Sequence, residues 1–328
     1  MARESYGASA VKESYQRALK LCQQLEDQRG LFRVQIGLGI IHVVRGEFAE
    51  ASEMAAQCLT MAEQMRNPGF LVQAHFSVAN TMENMGGLIV SRRHFEEAIK
   101  IDSQYRDSSV VEPIWGVFSR SRLCGVLRLL GYPDQARVVI REGLALAEKV
   151  RHPLSLADCI LNVTSDHIAN REVAQARQQA MAAIAYSQEQ GIRYYTARGM
   201  VLLGWTMVIQ GEIDEGLERM REGISEYLAT ESVFAVSFMR SLYSDALRRA
   251  GQGVEALQAA KEGLELAEKL GEHYYESELY RQIGEALWMT AAPQIEVENS
   301  FQQAIECARA RGSAHAQPAP RPRAPAGR

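Results

Sequence analysis

Along almost the whole chain, apolar and small residues recur at helical spacing and polar residues fill the faces between them. The stretch EGLALAEK at 142–149 returns as EGLELAEK at 262–269, and the interval between the two divides into three equal parts. A small residue followed by an aliphatic one falls at Ala18-Leu19, Cys58-Leu59, Ala98-Ile99, Gly143-Leu144, Ala183-Ile184, Gly223-Ile224, Gly263-Leu264 and Ala304-Ile305, at successive spacings of 40, 40, 45, 40, 40, 40 and 41. A second series keeps the same register: Gly46, Gly86, Gly131, Gly211 and Gly251 each stand five residues before Ala51, Ser91, Ala136, Gly216 and Ala256. Leu38-Gly39 and Leu203-Gly204 precede their turn glycines by the same interval, with Leu123-Cys124 and Tyr243-Ser244 as variants.

Each marker has a physical reason. A glycine where one helix ends and the chain reverses supplies a left-handed backbone that other residues reach only with strain. Small residues on facing positions let two antiparallel helices approach until ridges enter grooves. Leucine at Gly223 or Gly263 would therefore overpack the contact, at about 1–3 kcal/mol. The pattern predicts fifteen helices. A lone second-type (B) helix lies near 8–25, followed by seven pairs whose first (A) helices fall near 31–45, 70–85, 110–130, 154–169, 192–210, 232–250 and 273–290. In the fifth repeat Arg171 occupies the glycine position, and Asn170 is expected to make the turn instead. The five extra residues before the fourth repeat, within SQYRDSSVVEP, predict a longer loop with Pro113 starting the next helix.

The spacing Leu-Gly-x-x-large-x-x-x-Gly-x-x-x-x-Ala, followed seven residues later by another small residue, resembles the tetratricopeptide repeat. It is best developed over Leu38–Cys58 and Leu203–Gly223. That family's unit is about 34 residues, so a 40-residue unit predicts an extra helical turn or so per pair. The resemblance implies an all-α, right-handed superhelix of helix-turn-helix repeats, about seven and a half of them over 1–311, with 312–328 as a disordered Ala/Pro/Arg-rich tail. The first repeat lacks its A helix, so the chain reads as a segment of a longer array whose uncapped ends are open to oligomerisation. The phrases LRLLGYPDQAR, RHPLSLA, LLGWTMVIQGEIDEGLERMREGI and GEHYYESELYRQIGEAL are similar to the C-terminal repeat region of large bacterial proteins. Those proteins join an adenylate/guanylate cyclase or DNA-binding domain to a signalling ATPase. This second resemblance implies a sensing or scaffolding segment, with catalysis lying in other domains.

Composition narrows the chemistry. Net charge is −4 with 23% charged residues, so no global basic field exists to neutralise phosphates, and nucleic acid is not an expected direct partner. The five cysteines are widely separated, the usage of a reducing compartment. The longest apolar run, LGIIHVV, is far too short to span a bilayer, so a cytoplasmic protein without a membrane partner is expected. No G-x-x-x-x-G-K-S/T loop, H-E-x-x-H pair or G-x-S-x-G elbow occurs. The reading is therefore a non-enzyme with no cofactor and no metal. His42 and His167 fall at the large position of the repeat, where packing is a sufficient role. Tyr194-Tyr195 and Tyr274-Tyr275, 80 residues apart, read as inter-repeat packing.

In tetratricopeptide folds the A helices line an inner groove, and the resemblance implies groove positions two residues before, two after and five after the Leu of Leu-Gly. These land on Val201, Trp205 and Val208 in repeat six, on Ser241, Asp245 and Arg248 in repeat seven, and on Arg281, Glu285 and Trp288 in repeat eight. One turn earlier lie Arg198, Phe238 and Glu278. Aromatics interleaved with both charge signs suit a peptide or helix better than a phosphate backbone. In repeat three the same rule gives Phe76, Asn80 and Glu83, a carboxylate where a clamp for acidic tails needs a cation. The expected function is a scaffold that binds a protein or peptide in the groove, as the interaction segment of a larger signalling protein. The alternative is a sensor of a small-molecule or peptide effector that regulates an ATPase, cyclase or transcription module.

Overall fold

The computed structural model describes residues 7–106, 108 and 110–312. Among them are fifteen α-helices and no strand. Helix α1 (Ser9–Gln24) stands alone as the B helix of repeat one. The pairs are α2 (Gln28–Val44) with α3 (Phe48–Met65), α4 (Pro68–Asn84) with α5 (Leu88–Tyr105), and α6 (Pro113–Leu129) with α7 (Pro133–Val150). They continue as α8 (Pro153–Ala169) with α9 (Val173–Glu189), α10 (Arg193–Ile209) with α11 (Ile213–Leu228), α12 (Val236–Arg249) with α13 (Gly253–Leu270), and α14 (Glu276–Met289) with α15 (Gln294–Ala310). The molecule is an all-α superhelical solenoid. The tail expected over 312–328 lies outside the described residues except for Gly312.

Local chemistry sets the boundaries. Proline occupies the first position of α4, α6, α7 and α8, where its missing N–H costs nothing. The five turn glycines take φ values of 72–95°. In repeat five the expectation about Asn170 is corrected. Arg171 itself adopts φ 60°, while Asn170 stays right-handed and donates from Nδ2 to the Asp166 carbonyl at 2.7 Å. Two backbone bonds hold the strained residue, Arg171 N–H to Ile168 O at 3.0 Å and Glu172 N–H to His167 O at 2.9 Å. A left-handed non-glycine survives where its surroundings over-determine it.

Small residues act where predicted. At the α10–α11 crossing, a Cβ added to Gly216 would stand 2.7 Å from the Gly204 carbonyl oxygen, and one on Gly204 would stand 2.5 Å from the Gly216 carbonyl oxygen. Backbone thus meets backbone. The core fills the space between the two helix layers, with Leu202, Met220, Tyr227 and Met239 each below 3% exposure in its largest section. Cys58, Cys124 and Cys159 are buried thiols, and burial pushes Cys58 up to about 12. His42 and His167 play one structural part in two repeats: each Nδ1 lies against the next helix's N-cap glutamate, Glu47 at 2.5 Å and Glu172 at 2.6 Å.

The superhelix closes on itself. The Val44 carbonyl at the end of α2 accepts from Val233 N–H at 2.9 Å and Phe234 N–H at 3.2 Å. The Asn84 carbonyl at the end of α4 accepts from His273 N–H at 2.7 Å, the same 189 residues further along. Arg45 joins the first seam, bonding the Gly7 carbonyl at 2.6 Å and Glu231 at 3.1 Å. Arg311, past α15, joins the second through the Met85 carbonyl at 3.3 Å and Glu276 at 3.0 Å. Repeat seven therefore sits on repeat two and repeat eight on repeat three: one turn takes five repeats, and the inner surface is a narrow channel where the sequence suggested an open groove.

Candidate functional site

The seven A helices, α2, α4, α6, α8, α10, α12 and α14, carry most of the buried polar side chains. Neighbouring A helices are joined across the repeat by a ladder of these groups. Arg122 on α6 donates to Glu83 on α4 from Nε at 3.1 Å and Nη2 at 2.9 Å. Ser121 on α6 donates to Asp158 on α8 at 2.7 Å, and Asn162 on α8 accepts from Arg198 Nη2 on α10 at 2.9 Å. Trp205 Nε1 on α10 donates to Asp245 on α12 at 2.9 Å. The recurrence at roughly one repeat length follows from the register: equivalent positions on adjacent A helices lie side by side.

Two cavities occupy the channel. The larger, about 400 Å³, is bordered by A-helix residues from α4 to α14, and its wall includes Arg128, Asp166, Arg198, Trp205, Phe238 and Arg281. The smaller, about 170 Å³, lies among Phe76, Trp115, Phe118, Leu154, Tyr194 and Tyr195 and is mostly apolar. Arg122 and Phe234 border both, and their stack, with the guanidinium 4.4 Å from the ring centroid, narrows the channel between them. Phe234 is delivered there by the first seam. Tyr274, delivered by the second, borders the larger cavity and approaches so close to α6 that a Cβ on Gly125 would meet its hydroxyl at 2.4 Å. A trough of about 920 Å³ between α10 and α11 is larger, but exposed Arg193, Glu218, Arg221 and Glu226 make it a solvated outer surface.

The electrostatics follow from burial. Burial opposes the charge on Arg122, but the carboxylates of Glu83 and Asp158 outweigh it and hold the guanidinium protonated well above its ordinary range. Burial likewise raises Asp245, and Arg249 with Trp205 overcomes it, so that this carboxyl sits below its usual value. Glu272, at the second seam, is buried and accepts from Ser237; desolvation lifts it to about 7.

Six of the nine expected groove residues, Arg198, Trp205, Phe238, Asp245, Glu278 and Arg281, border the larger cavity. The other three do not. Arg248 bonds Asp245 at 2.7 Å and its Nε lies 3.0 Å from Glu285, without hydrogen-bond alignment. Glu285 accepts from Arg281 at 2.6 Å. Trp288 is 48% exposed near the end of α14, beyond the seam. Of the flanking positions, Val201 and Val208 belong to the core and Ser241 borders the cavity. Tyr275 packs on Phe238 of the preceding repeat at 4.9 Å, which is inter-repeat packing, while its side chain and that of Tyr274 also border the cavity. Arg122, Phe234 and Asn162 escaped the sequence reading. The groove offsets, extended to repeats four and five, land on Gly125, Arg128, Ser165 and Ile168, which border the cavity, and on Ser121 and Leu161, which do not, so part of the missing wall was within reach. Among the described residues no cluster of metal-ligating side chains occurs, and no helix is long and apolar enough to cross a membrane.

No protein-family profile matches the chain, and no curated protein sequence matches it. Solved structures do. It is similar to a Rap protein complexed with competence and sporulation factor, at 14% identity and a TM-score of 0.66, covering 85% of this chain and 76% of that one. A Rap conjugation gene regulator of plasmid pLS20, in complex with the Phr* peptide, aligns at 12% identity and TM-score 0.64 over 88% and 76%. A signal transduction ATPase with numerous domains and a tetratricopeptide repeat sensor, from Pyrococcus horikoshii, aligns at 13% identity and TM-score 0.53 over 92% of this chain and 47% of that one. The fold is thus that of a tetratricopeptide-like helical-repeat solenoid.

Proposed function

We propose that the chain is a non-catalytic scaffold whose inner channel binds a peptide or an extended segment of a partner protein. The observation that carries this reading is the larger cavity. Its volume of about 400 Å³ falls in the range of about 300–1,000 Å³ usual for ligand sites. Its wall sets Trp205, Phe238 and Tyr275 among arginines and carboxylates, which suits a ligand with both apolar side chains and hydrogen-bonding backbone. Similarity to a solenoid solved with the Phr* peptide supports the reading at the level of fold. A sensor role within a larger signalling protein fits the same channel, since a ligand that bridges the A helices of successive turns would change the pitch.

Selection of peptides from a displayed random library against the purified chain tests this. Enriched sequences should compete with one another, perturb Trp205 fluorescence, and lose affinity at least tenfold (about 1.4 kcal/mol) against Phe238→Ala with helicity unchanged. A library that enriches nothing, or binders indifferent to Phe238, would sink the reading.

A further inference from the structure

The charges around the larger cavity do not cancel. Its wall holds six arginines and four carboxylates, and the carboxylates are each taken by an arginine. Glu83 is held by Arg122, Asp166 by Arg128, Asp245 by Arg249 and Glu278 by Arg281. Arg171 is left over, and Arg198 pairs with no carboxylate of this wall, keeping only a long 3.9 Å ion pair with Asp158 behind it. Arg198 is 5% exposed, yet its hydrogen bonding ends with one bond from Nη2 to Asn162; Nε and Nη1 have no acceptor. The nearest carboxylate, Asp158, lies 3.9 Å from Nη1 and already accepts from Ser121 at 2.7 Å, Asn162 at 3.1 Å and Tyr195 at 3.3 Å. A guanidinium that is buried and under-bonded is costly unless an anionic acceptor completes it. Arg171, held on the same wall by its left-handed turn, is exposed.

We infer that the larger cavity binds the terminal carboxylate of a peptide, with Arg198 as the anchor and Arg171 as the outer cation. This rests on the peptide reading above and specifies the end of the chain that enters. The stack of Arg122 and Phe234 narrows the channel beyond the cavity, so an inserted segment stops there, which suits a chain end better than the middle of a strand. A terminal carboxylate meets the arginine with charge-assisted bonds that a neutral amide cannot supply.

The test uses the full chain and two pools of random hexapeptides, one with free C-termini and one amidated, with 3-phenylpropionate as a small carboxylate. The free-acid pool should bind the wild type at least tenfold more tightly than the amidated pool. Arg198→Met should remove that preference, Arg198→Lys should keep part of it, and Arg171→Ala, at an exposed position, should weaken it without touching the fold. Equal binding of both pools to the wild type overturns the carboxylate site while leaving the peptide reading standing. A free-acid preference that survives Arg198→Met overturns the role of Arg198. Binding of 3-phenylpropionate alone, lost in Arg198→Met, keeps the anion site and overturns the peptide as its occupant; binding of no probe overturns both.

Discussion

Arg122 and Glu83, 39 residues apart on α6 and α4, form a two-bonded ion pair with the arginine side chain 9% and the glutamate 2% exposed. Sequence offsets alone pick out Glu83 as a carboxylate where a clamp for acidic tails would need a cation; in the fold that carboxylate is already occupied by Arg122. Arg122→Met leaves that carboxylate buried without a counter-charge and should cost about 3–5 kcal/mol, while Arg122→Met with Glu83→Gln should recover most of the loss. Urea unfolding of the three proteins decides it. A double variant no more stable than the single one would show that the pair is not the source of the cost.

The crossing of α10 over α11 admits no side chain. Alanine usually stabilises a helix interior relative to glycine by up to about 1 kcal/mol, but Gly216→Ala drives a methyl against the Gly204 carbonyl and should instead destabilise by about 1–3 kcal/mol. Gly39 on α2 is the control, because its added Cβ would find Ser77 Oγ at an ordinary 3.6 Å. Thermal melts should fall for Gly216→Ala and hold or rise for Gly39→Ala.

Glu272 gives stability a pH dependence of known sign. Its carboxyl is raised by burial to about 7 in the folded chain against about 4.3 for an unfolded one, so the native state holds the proton more tightly. That contribution is fully present below the unfolded value and is lost as pH rises through 7, up to about 4 kcal/mol in all. His75 works in the opposite direction: burial and its neighbour His94 lower it to about 4, which withdraws stability as pH falls from about 6.5. Glu272→Gln should flatten the decline between pH 5 and 8 in chemical denaturation and leave the acid side, to which His75 and Asp245 contribute, as it was.

The seams predict slow hydrogen exchange at two backbone amides outside any helix. Val233 and His273 donate to Val44 and Asn84 and should exchange markedly more slowly than a loop amide without an acceptor. Arg45→Ala removes the bonds to Gly7 and Glu231 and should speed Val233 without affecting His273, whose seam depends on Arg311. Rapid exchange at both amides in the wild type would mean that the turn is open in solution.

The repeat and its helices were legible because their causes are local. A turn glycine, a proline at a helix start and a small residue at a crossing each leave a mark at a fixed offset, and the periodic array multiplies it. Arg171 shows the limit: its left-handed turn is imposed by the two backbone bonds around it, which no residue type announces. The closed channel was illegible for a different reason. Val44 and Val233 meet through backbone groups that every residue carries, and the number of repeats per turn depends on small inclinations summed over five pairs. Six of the expected groove residues border the larger cavity because register sets them side by side, while Phe234 reaches the channel from a loop, where helical offsets do not apply.

A strip of repeats coupled only to their neighbours can fray from either end, each unit departing almost independently. Here the seams tie the first full pair to the seventh repeat and the second to the eighth, so the strip is stapled into a coil and neither edge is free to peel. Loss of order at one terminus should be felt at the far side of the molecule, giving a single sharp melting step. Assembly should finish with a slow step, the long-range docking of the two edges, because loop-closure entropy is paid before those contacts form.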